Sequence, residues 1–358
     1  GHGIEYDVKD AKGNVVQHIG GHNLGRNIQL EDSATLKIST SVIGNTGNED
    51  DRTITVLNGS TIDFSGAPSE SGYEGDTDYA GLGFNVVIEG HGVDGKGALY
   101  KGEYDGPYDL NAENATSTIN RIILPNVKLT GGASVKVESQ EPLFMNANEL
   151  GKTYLDLAGH TLTKMGAGDF VVRSVEMTPG TILVQQGAFG FDLTDSAADT
   201  DIVLAAGAEL KLNATGLTDA GTTGLELRSL SGAGMVVLNG GTLTLHTDTG
   251  AAYYGEYMDE AQVYHQFTGK TGSGYAVFSG LISDGNDSGK LVKTGSGVHY
   301  ISGSSSTYTG GTQLQEGRLY LLGSGEATEF GKGTSKVASG VAGTGAIVWE
   351  SADAELYM

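Results

Sequence analysis

The sequence predicts an all-β fold: a single-stranded parallel β-helix in which short strands stack coil upon coil. Three observations predict it. Glycine supplies 58 of 358 residues, more than twice its usual share of about 7%. Helical periodicity is nearly missing, because few stretches of a dozen residues lack glycine, which costs about 1 kcal/mol in a helix interior. Third, one phrase recurs: a glycine turn, a small residue, then alternating apolar positions.

Taken in order, RTITVLNGSTIDF (52–64) sets Ile54, Val56, Ile62 and Phe64 on alternate positions. The phrase returns as Gly132-Ala133-Ser134-Val135-Lys136-Val137, Gly207-Ala208-Glu209-Leu210-Lys211-Leu212, Gly241-Thr242-Leu243-Thr244-Leu245 and Gly317-Arg318-Leu319-Tyr320-Leu321, with weaker copies at 33–38 and 180–184. One such strand cannot hide its apolar face alone. Coils of roughly 20–27 residues, each paired with the next, would bury that face in a shared interior. Tandem antiparallel β-sandwiches are the competing reading, since Asn-Gly turns suited to hairpins stand at 58–59 and 239–240. The expected organisation is one continuous β-helix over 1–358. Segment 251–267 interrupts the rhythm as a protruding loop or short helical insertion. Trp349 is expected to help close the last coils.

Segment 278–325 carries Leu291, Lys293, Gly295, Gly297, Ser302, Gly303, Tyr308, Gly310, Gly311, Thr312, Gly317 and Leu319 in an order that resembles the autotransporter-associated β-strand repeat. His299 and Tyr300 depart from it, standing where small or aliphatic residues are usual. Segment 155–172 resembles the middle of that repeat through Lys164, Gly166 and Gly168, and segment 84–100 resembles one found upstream in such proteins. The resemblance implies a rung of a right-handed parallel β-helix in an exported bacterial passenger. It also implies attachment to the outer membrane through a barrel outside this segment, hence a secreted or cell-surface location. No run of 18 apolar residues is present, so direct membrane insertion by a helix of this chain is not expected. No signal peptide opens the chain, so a targeting segment is expected to have been removed.

With 44 acidic and 21 basic residues the net charge is −23, which repels nucleic acid and anionic lipid. Cysteine is absent, which removes disulfides and thiolate chemistry. Gly-His-Gly-Val-Asp-Gly (90–95) matches a dinucleotide fingerprint formally, but too many glycines follow for the helix that would receive the phosphates. The acids of 49–51, Asp76 with Asp78, and Glu103, Asp105 and Asp109 sit in turn-like stretches and read as solvated loop residues. Asp-Gly-Asn-Asp-Ser-Gly (284–289) has oxygen ligands for calcium but no known calcium spacing, and reads as a turn. No catalytic, metal or cofactor residue is assigned, and no cofactor is expected.

Tyrosines cluster instead. Tyr100, Tyr104 and Tyr108 form one patch, and Tyr253, Tyr254, Tyr257 and Tyr264 another. Tyrosine offers broad contact area with a polar tip, which suits a glycan or protein partner. With the exported passenger that the resemblance implies, the expected function is a non-enzymatic surface passenger acting as adhesin or display rod, with host glycan or surface protein as partner. A polysaccharide-active β-helix enzyme and a ligand-free stalk are the alternatives.

Overall fold

The computed structural model describes residues 6–9, 15–19, 27–38, 42–43, 53–57, 59–66, 80–82, 84–105, 122–124, 126–146, 153–192, 196–214, 224–248, 255–258, 264–267, 275–303, 305–321 and 341–358. They belong to two compact units, Gly1–Thr178 and Pro179–Met358. Each is a parallel β-helix.

In the N-terminal unit the strands form three parallel columns. The first runs Ile28–Leu30, Thr53–Val56, Asn85–Gly90, Val127–Val137 and Thr153–Asp156, ending on Val175–Met177. The second runs Thr35–Lys37, Thr61–Asp63, Leu99–Lys101, the C-terminal part of Val127–Val137, and Thr161–Met165. The third runs Val42–Ile43, Ala80–Leu82, Ile122–Leu124, Leu143–Asn146 and Asp169–Arg173. Successive strands of the chain visit the three columns in turn, so each coil has three sides. Register fixes coil length: Thr153 faces Val175, a step of 22, while Val87 faces Lys128, a step of 41. Within the longer coil the register shifts between Leu129 and Ala133 before parallel pairing resumes at Ala133 with Gly90. Antiparallel pairing also occurs, where Tyr6–Lys9 joins Val15–Ile19 and Thr35–Lys37.

The C-terminal unit repeats the scheme. Its columns are Ser196–Leu204, Gly224–Gly232, Thr242–His246, Lys290–Thr294, Thr312–Leu314 and Ile347–Trp349; Tyr275–Phe278, Val298–Ile301, Gly317–Leu321 and Ala354–Tyr357; and Ala188–Asp192, Glu209–Leu212, Met235–Val237 and Leu281–Ser283. These long parallel ladders set the sandwich alternative aside.

Period-two alternation is what makes the coils close. Ile54, Val56, Ile62 and Phe64 are fully buried, as are Leu243, Leu245, Leu291 and Leu314 from three consecutive coils. Stacked aliphatic positions fill the interior and leave the intervening residues outside. Every recurring phrase of the sequence lands on one of these strands, apart from the copy at 180–184, which forms the strand Gly180–Val184 paired in parallel with Ser196–Leu204.

Corners explain much of the glycine. Gly234, Gly280 and Gly303 stack at one corner of the C-terminal unit. A Cβ on Gly280 would lie 1.8 Å from the Gly234 carbonyl oxygen, and one on Gly303 would lie 1.7 Å from that of Gly280. Only a residue without Cβ lets three coils turn this tightly above one another.

A second corner device uses lysine. Lys164 and Lys293 are fully buried. Lys164 Nζ donates to the carbonyls of Met165 (2.9 Å) and Gly166 (2.8 Å), the turn that follows it. Lys293 Nζ donates to Thr294 (2.5 Å) and Gly295 (2.7 Å), and reaches the Glu316 carbonyl of the next coil at 3.2 Å. The Lys-x-Gly-x-Gly pattern is thus a clasp: the ammonium satisfies carbonyls that the turn points inward. Burial pulls the Lys293 and Lys101 ammonium groups down to about 8.

Candidate functional site

On the outer side of the N-terminal unit, Lys37, Asp63, Tyr100 and Lys136 occupy successive register positions of the second column. Parallel stacking sets such positions about 4.8 Å apart, so one side carries a Lys-Asp-Tyr-Lys series in which Asp63 is itself buried, its Oδ1 accepting the Ser65 N–H. Its charges are tied together. Tyr100 Oη donates to Glu138 Oε2 at 2.7 Å, and Lys136 Nζ lies 2.6 Å from Glu138 Oε1. Lys37 pairs with Asp105 at 2.7 Å. Lys96 Nζ stands over the Tyr100 ring, 5.1 Å from its centroid. Burial, then the bond to Glu138, pushes the Tyr100 phenol above its usual range. Hydrogen bonds from Lys136 and from Tyr100 hold the Glu138 carboxyl below its own. The result is a fixed face of aromatic ring, ammonium and carboxylate groups, suited to polar ligands with several hydroxyl or amide groups.

The structure places the sequence-predicted tyrosines as follows. Tyr100 lies on this side in the strand Leu99–Lys101, and Tyr104 follows that strand, half-buried. Tyr108 lies outside the described residues, as do Tyr253 and Tyr254. Tyr257 and Tyr264 belong to an antiparallel ribbon, Gly255–Met258 with Tyr264–Phe267. Tyr257 faces His265 and Tyr264 faces Met258, so the two tyrosines are not a cross-strand pair. The described part of 251–267 is therefore a β-ribbon rather than a helix. In sequence it lies between Thr242–His246 and Tyr275–Phe278, both of which keep their parallel partners.

Sequence reasoning missed a third tyrosine group. Tyr300, Tyr320 and Tyr357 stand in register in the C-terminal unit. Their rings stack with centroids 4.6 Å and 4.2 Å apart and planes 23° and 4° from parallel. Beside them Arg318 Nε donates to Glu355 Oε2 at 2.8 Å, which also accepts the Tyr357 hydroxyl at 2.7 Å. In a ladder the rings cover one another's faces, so the stack stabilises the coils. Trp349, expected to close the last coils, pairs through its strand with Leu314 but remains 44% exposed.

The remaining motifs resolve into architecture. Gly90–Gly97 forms a tight turn containing a short 3-10 element, Val93–Gly95, and runs into the strand Leu99–Lys101 rather than a helix. It is pinned to the sheet by the Val93 N–H donating to Thr61 Oγ1 (2.8 Å), by Thr61 Oγ1 donating to the Gly97 carbonyl (2.9 Å), and by a 2.6 Å contact between His91 Nδ1 and Ser134 Oγ. Asp284 of the 284–289 turn accepts the Gly289 and Thr309 N–H groups and the Thr309 hydroxyl. Burial pushes its carboxyl up, but these bonds outweigh it and hold the group below its usual range. Its oxygens are thus spent on the fold, and among the described residues no group of three or more His, Cys, Asp or Glu side chains could hold a metal ion. Of the acid clusters, Glu103 accepts the Gln140 N–H and Asp105 holds Lys37. Residues 49–51, Asp76, Asp78 and Asp109 lie outside the described residues.

No known family profile, curated protein or solved structure matches the chain.

Proposed function

We propose that the chain is a non-enzymatic β-helical passenger of the bacterial cell surface, an adhesin or display rod whose N-terminal unit binds host glycan or surface protein through the Tyr100 face. The single observation that supports this reading is the column Lys37, Asp63, Tyr100 and Lys136 with Glu138 and Lys96 around the ring. A ring edge bordered by fixed donors and acceptors on a rigid sheet meets a polar partner with little ordering to be done on binding. The described carboxylates nearby hold lysines, a tyrosine or backbone groups, which suits contact rather than proton transfer. The resemblance of 278–325 to autotransporter repeats adds the surface location.

The test is a glycan array and a panel of host surface proteins, run beside a turnover screen on mucin-type and plant polysaccharides. The intact chain, Tyr100→Ala with Lys136→Ala, and a chain lacking 251–267 are compared. Binding by the intact chain that falls at least tenfold in the double variant supports the proposal. Equal binding by the double variant moves the site elsewhere, with loss on removing 251–267 assigning it to the ribbon. Depolymerisation of a polysaccharide would establish the enzyme alternative instead, and absence of any binding the stalk.

A further inference from the structure

His299 interrupts the aliphatic interior of the C-terminal unit. Its register neighbours along the stack are Ala276 and Leu319, both fully buried, and the ring itself is fully buried. Nδ1 lies 3.1 Å from the hydroxyl of buried Thr247. Nε2 has no hydrogen-bond partner. Either tautomer therefore leaves one ring nitrogen unmet, and protonation is worse: both nitrogens become donors, and Nε2 has no acceptor. The charged group acting on the ring is the Lys293 ammonium, a like charge once the imidazole is protonated, while Glu316 acts on Lys293 in turn. That ammonium is the clasp that joins the turn after Lys290–Thr294 to the carbonyl of Glu316.

We propose that His299 is an acid-sensitive latch: mild acid protonates it in opened coils and so releases the stack formed by Thr242–His246, Lys290–Thr294, Val298–Ile301 and Gly317–Leu321. The sign follows from the cavity. Burial, then Lys293, pulls the ring from its ordinary 6.5 down to about 3, so the closed coils hold it neutral. Opened coils take up a proton below about 6.5, so the opened state binds more protons than the closed one between those limits. Stability is therefore full above about 6.5 and falls as the pH falls. The opening equilibrium rises by up to about tenfold for each pH unit in that window. Ordinary carboxylates titrate near 4, so the interval from 6.5 to 5 isolates the histidine from them.

Hydrogen exchange of the intact chain at pH 7, 6 and 5, corrected for the chemical exchange rate, tests this. Amides of 242–246, 290–301 and 317–321 are expected to open about threefold more from pH 7 to 6 and about eightfold more from pH 6 to 5, while those of 127–137 and 161–165 change little. His299→Leu is expected to flatten the slope. An unchanged slope in that variant, or an equal slope in 127–137, overturns the latch. The second measurement needs no variant. Histidine-labelled protein followed by nitrogen NMR is expected to show His299 neutral in the folded state at pH 5, and a protonated ring in folded protein at pH 6 overturns the proposal.

Discussion

Replacing Lys293 by Met separates the clasp from mere filling of space. Met keeps most of the stem's apolar contact between Leu245 and Leu314, the register neighbours of Lys293, and removes the three bonds to Thr294, Gly295 and Glu316. Bonds to a charged donor contribute about 1.5–3 kcal/mol each, and orphaned buried carbonyls lose a similar amount. Against this stands the cost of holding the charge inside. The fall from 10.5 to about 8 corresponds to about 3 kcal/mol. The net expectation is a loss of about 2–5 kcal/mol. Urea unfolding followed by the fluorescence of Trp349, whose strand pairs with Leu314, reads it directly. The pH dependence gives an independent check. An unfolded lysine binds its proton up to about 10.5 and the folded one only to about 8, so the unfolded state holds more protons in between. Wild-type stability should therefore rise from pH 8 towards 10.5, and Lys293→Met should lose that share of the rise. A neutral or stabilising substitution would refute the clasp, and the ammonium would then be a tolerated burial, as many buried charges are.

Other outcomes follow from the same geometry. Gly280→Ala should cost at least about 3 kcal/mol, since its Cβ would overlap the Gly234 carbonyl. Gly207→Ala, at φ +82° with nothing within 4 Å, should cost only about 1–2 kcal/mol; thermal melts of the pair measure the difference. Tyr320→Leu removes two ring contacts and should cost about 1–3 kcal/mol, while Tyr320→Phe should be near neutral by the same melts. Asp201 is 1% exposed, accepts from Arg228 Nε at 3.0 Å and from the Ser229 hydroxyl at 2.6 Å. Asp201→Ala should cost about 3–5 kcal/mol in urea titration, because it leaves the half-buried guanidinium unpaired.

The coil interior was legible in the residues because a period of two needs only neighbours in sequence. Ile54, Val56, Ile62 and Phe64 announced their side of the sheet without any tertiary information. Column assignment was not legible, because Gly224–Gly232 bends across a corner inside one strand and pairs with both Thr242–His246 and Tyr275–Phe278. Nor was the meaning of Lys293 or the Gly234–Gly280–Gly303 stack, which depend on what lies one coil away. Tyr100 was singled out by its crowding with Tyr104 and Tyr108, and register sets it beside Asp63 and Lys136. The Tyr300–Tyr320–Tyr357 ladder was missed because its members are 20 and 37 residues apart, and register alone brings them together.

The place where 251–267 departs has a practical side. Two strands that adjoin in one coil, Thr242–His246 and Tyr275–Phe278, are far apart in sequence, yet both remain zipped to the turn of chain beyond. Doubling the length of a tether that already spans such a gap adds only about 0.6 kcal/mol of closure entropy. The site can thus accept foreign peptide, such as an epitope or an enzyme tag, with little penalty to the coil that carries it.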